Sequence, residues 1–234
     1  MLKMVRFGVL LAGFQLGAGG IVPSAQAADP AHPTVVELFQ SQGCSSCPPA
    51  NANLLAIADR PDVLALSWEV TYWDYLGWTD SFGDRLYTAR QYDYAKGLGH
   101  AEVFTPQIVV NGRSDLVGDH ADELDTAIRR ADRGLSGPTL LLTADQVNVG
   151  AAASHGEVIL VRYDPRIIQV AIHRGENGGR TLPHRNVVRE VARLGAWTGT
   201  AQTFKLPAPS LTGLKTAILV QAGSGGPILA ATHS

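Results

Sequence analysis

The chain has 234 residues, with 19 Lys and Arg against 21 Asp and Glu, for a formal net charge of −2. That balance offers no electrostatic reason to bind nucleic acid or an anionic membrane surface. Its two cysteines are too few for a disulfide framework, and the length suits one large domain or two small ones.

The first segment, MLKMVRFGVLLAGFQLGAGGIVPSAQAADP, has a basic start at Lys3 and Arg6, an apolar stretch from Phe7, and the small-x-small pattern Ala25-Gln26-Ala27. This is the layout of a secretory signal peptide, cut after Ala27. The alternative is a membrane anchor, but Gly13, Gln15, Gly17, Gly19 and Gly20 interrupt the apolar run. It falls short of the roughly 20 apolar residues that a span requires. No later segment reads as a span, so the mature chain is expected to be periplasmic or secreted, with a net charge of about −4.

TVVELF, from Thr34, reads as a buried strand, and QSQG then turns into GCSSCPP, which holds Cys44 and Cys47. A helix follows, with Leu54, Ile57 and Ala58 at helical spacing and Pro61 as its stop. VLALSWEV is a second strand. Three of the four Trp and five of the six Tyr lie between positions 68 and 94, and a helix from about Asp80 to Leu98 is expected there, with Phe82, Leu86 and Ala89 on its inner face. Trp73, Asp74 and Tyr75 just precede it, at the sheet end that carries the CxxC. They are candidates for lining a substrate groove, against the more ordinary role of packing the inserted helix.

VFTPQIVVNGRSDLVG reads as a Thr-Pro step, a strand at Gln107–Val110, an Asn-Gly turn and a short strand. A closing helix takes Asp119 as N-cap, with Leu124, Ile128 and Ala131 inward. Beyond Ser136–Pro138, the short apolar runs TLLLT, EVILVRY, IIQVAIH, AQTFKL and KTAILVQ predict a β-rich, sandwich-like unit. The expected division is residues 1–27 as signal peptide, 28–136 as an α/β domain with a helical, aromatic-rich insertion, and 137–234 as the β-rich domain.

A CxxC that opens a helix after a strand has a chemical meaning, because unpaired N–H groups and the helix dipole stabilise a thiolate. The thiolate is the nucleophile, and its pKa in such motifs falls from about 8.5 to roughly 3.5–7.5. Cys44 is then the attacking sulfur and Cys47 the resolving one. A ring closed over so short a loop restricts little chain entropy and makes a poor structural staple. Pro48 disfavours helical geometry at Cys47, which points to a helix starting at Pro48, with Cys44 set back from its N-terminus.

The CxxC, the Thr-Pro step before a strand and the final helix together resemble the thioredoxin fold. The resemblance implies that Thr105 and Pro106 stand beside the disulfide as a cis-proline edge that binds substrate backbone. It also implies a role for Glu37 as a proton-transfer acid, although Glu37 is one residue out of register with the thioredoxin acid. Strand alternation turns a residue so displaced to the other face. Ser45-Ser46 replaces the thioredoxin Gly-Pro, so no redox potential carries over. More closely, VVELFQSQGCSSCPPA, YWDYLGW, FTPQIVVNG and RGENGGRTLPHRNVVRE resemble an uncharacterised secreted bacterial family with a thioredoxin-like fold, over essentially the whole mature chain.

These readings point to an exported thiol–disulfide oxidoreductase acting on protein or small thiols and disulfides. The Cys44–Cys47 pair carries the electrons, without a dissociable cofactor. Two others stand beside it: a binding protein with a permanently closed disulfide, and a Cu(I) or zinc carrier. The carrier reading has to draw ligands from distant segments, since the seven His are scattered and Met1 and Met4 both precede the cleavage site. In RGENGGRTLPHRNVVRE the Glu-Asn-Gly-Gly part reads as a hairpin turn, and His184 or Arg180 would have to cross to the cysteines to share in their chemistry.

Overall fold

The computed structural model of the chain describes residues 28–131 and 137–234; the expected signal peptide and Ser136 of the expected boundary lie outside them. Strand β1 (Thr34–Gln40) leads through the CxxC into α1 (Cys47–Ile57), and β2 (Val63–Glu69) follows. A single 3-10 turn at Asp74–Leu76 precedes α2 (Arg85–Leu98). Strands β3 (Gln107–Val110) and β4 (Ser114–Leu116) form a hairpin through Asn111 and Gly112, both at positive φ, and α3 (Ala121–Arg130) comes next. The two positive φ values are what a tight hairpin turn demands, and Asn-Gly supplies them at low cost.

The remaining strands are β5 (Leu140–Leu142), β6 (Gln146–Val149), β7 (Gly156–Asp164), β8 (Ile168–Ala171), β9 (Thr181–His184), β10 (Val187–Trp197), β11 (Gln202–Lys205), β12 (Lys215–Gln221) and β13 (Ile228–His233). Eight strands form one mixed sheet in the order β13-β12-β7-β10-β2-β1-β3-β4. It therefore continues from one side of residues 137–138 to the other. The seam is narrow: Val187 of β10 pairs with Ser67 of β2, the Ser67 N–H donates to Asn186 O at 3.0 Å, and Asn186 Nδ2 donates to Ala65 O at 2.9 Å.

Strand alternation sorts the core into layers. Val36, Leu38, Ala65 and Ile108 face α1 and α3, while Val35, Phe39, Leu66 and Trp68 face α2, together with Ile159, Val161 and Leu219 of the C-terminal strands. On the face opposite α2, Val158, Leu160, Ile218 and Val220 meet Trp197 and the small β11-β6-β5 sheet. Helix α2 lies so close to the β12–β13 turn that a Cβ on Gly225 would stand 1.9 Å from Asp93 O.

Three local expectations differ from the structure. The inner face of α2 is Tyr87, Gln91, Tyr94 and Ala95, and Leu86 is exposed. Spacing of apolar residues pointed elsewhere because this helix buries polar groups that pair with the sheet. Asp84 caps α2 through the Leu86 N–H, so Phe82 precedes the helix. The N-cap of α3 is His120 rather than Asp119, without a side-chain cap.

Candidate functional site

The turn between β1 and α1 brings the cysteines together. Cys44 and Cys47 form a disulfide with a Cα–Cα separation of 5.5 Å. Helix α1 begins at Cys47 with prolines in its first turn, so Cys44 stands outside it, as Pro48 predicts within one residue. The chain entering β3 delivers Thr105 and Pro106, joined by a cis peptide bond, to the same place. Thr105 Oγ1 donates to Cys44 Sγ at 3.4 Å, and Thr105 O lies 3.9 Å from that sulfur. The Ser46 hydroxyl donates to Thr105 O at 3.4 Å and sits 3.3 Å from Cys44 Sγ.

The aromatic segment joins them. Trp73 Nε1 donates to Thr105 Oγ1 at 2.7 Å, and Tyr75 stacks on Trp73 with ring centroids 6.5 Å apart. Tyr75 is 78% exposed and extends this surface outward. Asp74 accepts from the Asp80 N–H at 3.1 Å. Asp80 in turn accepts from the Gln42 N–H at 2.7 Å, and Gln42 Oε1 accepts from Trp78 Nε1 at 2.9 Å. The insertion thus holds the loop that enters the CxxC.

Both sulfurs are covered, with Cys44 at 0% and Cys47 at 1% exposure, while Ser45 and Ser46 between them are exposed. In this disulfide-bonded state the attacking sulfur is therefore no more exposed than the resolving one. A second molecule reaches the sulfurs only if the cover moves.

Glu37 takes the position that strand alternation dictates, on the α2 face with Val35 and Phe39, away from α1. Its carboxylate accepts from Arg90 Nε at 2.7 Å and Arg90 Nη2 at 3.0 Å, and from the Tyr94 hydroxyl. Burial raises the Tyr94 hydroxyl well above its ordinary value.

A second buried acid, Glu69, faces α1. Its Oε1 accepts from Ser67 Oγ at 2.9 Å and from Gln40 Nε2 at 3.2 Å; Gln40 also donates to Asn51 Oδ1 on α1 at 2.9 Å. His184 Nδ1 is 3.4 Å from Glu69 Oε1, outside hydrogen-bond geometry. Burial, reinforced by the charge of Glu69, pushes the Asp80 carboxyl up to about 8. Burial opposes a charge on His184, but contact with Glu69 and the charges of Glu69 and Asp80 outweigh it and raise the imidazole pKa. Ser67 and Glu69 sit at i and i+2 in an otherwise apolar strand, which was the available sequence signal for this cluster.

The C-terminal half also reaches the cysteines, through Glu176 and Asn177 instead of His184 or Arg180. The Ser45 N–H donates to Glu176 Oε2 at 2.9 Å, and Asn177 Nδ2 donates to Gln42 O at 3.0 Å and Cys44 O at 2.8 Å. Arg180 Nη1 donates to Asn177 Oδ1 at 2.7 Å, and His184 stays with Glu69. Among the described residues, no group of three or more His, Cys, Asp or Glu is placed to hold a metal ion, and no helix is long and apolar enough to cross a membrane.

Residues 35–221 match a family described as protein of unknown function, DUF1223, and the chain belongs to it. A protein of Agrobacterium tumefaciens known from a crystal structure is 34% identical, with a TM-score of 0.72, over 89% of this chain and 95% of that one. HBP35 of Porphyromonas gingivalis is 11% identical with a TM-score of 0.62, over 89% of this chain and 76% of that one, a likeness of fold alone. No curated protein matches the chain.

Proposed function

We propose that the protein is an exported thiol–disulfide oxidoreductase whose N-terminal half is thioredoxin-like and whose substrates are protein or small thiols and disulfides. The observation that carries this reading is the convergence of the Cys44–Cys47 disulfide, the Thr105–Pro106 step and Trp73 at one end of the sheet. A substrate thiolate attacks Cys44 Sγ, the S–S bond breaks and Cys47 leaves as thiolate. A second substrate thiol, deprotonated, then attacks the mixed disulfide at the substrate sulfur and releases Cys44. The substrate leaves oxidised, the pair reduced, and the two thiol protons have passed from substrate to the pair by way of solvent. Run in reverse, the same steps reduce a substrate disulfide. Trp73 and Tyr75 supply contact area for the incoming chain, and Asp74, bonded to the Asp80 N–H, ties their segment to the loop that Asp80 holds. Glu37, spent on Arg90 and Tyr94 on the far face, takes no part.

The burial of both sulfurs favours a second reading, a closed disulfide that braces a binding protein. Equilibrating residues 28–234 in glutathione buffers and trapping free thiols by alkylation separates the two. The oxidoreductase reading expects a potential between about −120 and −270 mV and a mixed disulfide trapped at Cys44 in Cys47→Ser. A pair that resists reduction below about −300 mV behaves as a structural disulfide and sinks the catalytic reading.

A further inference from the structure

Ser45 lies between the cysteines, just before the N-cap of α1, and its N–H is the backbone donor that follows Cys44 in the loop. In this chain that donor is committed to the Glu176 carboxylate, 131 residues away in sequence, at 2.9 Å. Glu176 comes from the tip of the β8–β9 ribbon, where Gly175 and Gly179 adopt positive φ and let the chain turn tightly onto the CxxC loop. The tip is held down by Asn177, fully buried, whose Nδ2 bridges Gln42 O and Cys44 O. Arg180, a cation of the same turn, is bonded to Asn177, and Glu176 has no ion pair among the described residues. The hydrogen bonds from Ser45 hold the Glu176 carboxyl below its ordinary range, so it is ionised at neutral pH. The other acid that touches this loop, Asp80, bonds to the Gln42 N–H on its entering side.

We propose that Glu176 is a positioning residue that sets the redox poise of the Cys44–Cys47 pair, by occupying the Ser45 N–H and placing a negative charge on the loop between the two cysteines. The proposal rests on the oxidoreductase reading and gives the C-terminal half a part in it. When two thiols of a substrate or of dithiothreitol give two electrons to the S–S bond and close into a disulfide, the bond breaks, Cys47 takes up a proton and Cys44 is left as the thiolate. A neighbouring carboxylate disfavours that charge and raises the thiol pKa. A destabilised reduced form makes the disulfide a weaker oxidant.

The test compares the wild-type chain with Glu176→Gln, which keeps an acceptor for Ser45 and removes the charge, and with Glu176→Ala, which removes both. Glu176 is exposed, so both variants are expected to fold, and a thermal melt checks it. Each protein is equilibrated with reduced and oxidised dithiothreitol, and the Cys44 thiol is titrated through its rate of alkylation. The equilibrium constant for reduction is expected to rise several-fold in Glu176→Gln and the thiol to become more acidic. The gap should narrow at high salt, because an exposed charge is screened. Equal constants in wild type and Glu176→Gln, or a shift in the opposite sense, overturn the proposal. Dithiothreitol opens even very stable disulfides, so the comparison stays readable if the wild-type potential proves too low for catalysis. That result refutes the oxidoreductase reading, whereas an unmoved Glu176→Gln refutes only the role of Glu176.

Discussion

Glu37 and Glu69 are fully buried acids on adjacent strands, and the pleat sends them to opposite faces of the sheet. On the α2 face the acid is fully paired: Arg90 grips Glu37 with two nitrogens, donates to Gln221 Oε1 at 3.0 Å, and lies 5.0 Å from the ring centroids of Trp68 and Tyr94. On the α1 face Glu69 Oε2, both ring nitrogens of His184 and Gln42 Nε2 are buried without a hydrogen-bond partner. A buried charge with a complete set of partners behaves as a packing element. The second cluster lies on the side of the cysteines, and its Asp80 and His184 both bind their protons more tightly than the free groups do.

The comparison is broken most severely by removing one member of the paired cluster. Glu37→Leu leaves the Arg90 guanidinium buried without its counter-charge and is expected to cost about 3–5 kcal/mol in urea unfolding. The double variant Glu37→Leu/Arg90→Leu should recover most of that loss. If the single variant is as stable as wild type, the ion pair does not organise the α2 face.

The incomplete cluster should reveal itself through pH. Asp80 holds its proton to about pH 8 in the folded chain, against an ordinary value of 3.8. The folded state therefore binds more protons than the unfolded one between these values, and stability falls as pH rises through that window. His184 acts in the same direction: its contribution is complete below the ordinary value of 6.5 and is lost as pH rises through its raised folded value. A decline of a few kcal/mol from acid to mildly alkaline pH is expected, flattened in Asp80→Asn. A pH-independent unfolding midpoint in the wild-type chain contradicts it.

Smaller effects sharpen the picture at the disulfide. Thr105→Val takes the acceptor from Trp73 Nε1 and the donor from Cys44 Sγ, and is expected to destabilise by about 1–2 kcal/mol in thermal or urea unfolding. Tyr75→Ala should change stability by less than about 0.5 kcal/mol, because the ring is mostly exposed, while slowing the exchange of peptide disulfides. An unchanged exchange rate removes Tyr75 from the proposed substrate surface.

Several elements were legible in the residues. Gln107–Val110 and Lys215–Gln221 are strands with the bounds their apolar runs suggest, and the CxxC does open a helix. Strands β6, β9, β10 and β13 carried too mixed a pattern to be read; β10, VVREVARLGAW, places Arg, Glu and Gly among its apolar residues and is bulged where it pairs with β7. The site divides in the same way. The spacing of Cys44 and Cys47 and the Thr105-Pro106 step mark themselves in a single segment. Glu176 and Asn177 carried no mark beyond a hairpin turn, because their partners are backbone groups more than 130 residues away.

By itself the sequence determined most of the helices and the more apolar strands, the pairing of neighbouring cysteines and the alternation that turns Glu37 away from α1. Periodicity and turn chemistry act within a few residues of each other, so they are written in order along the chain. Only the tertiary structure decided that β10 adds to β2 and makes one sheet of the two halves, that α2 buries its polar side, and that a distant ribbon lays a carboxylate on the cysteine loop. Each of these depends on which hydrogen-bonding groups meet when remote segments pack, and no local pattern encodes that meeting.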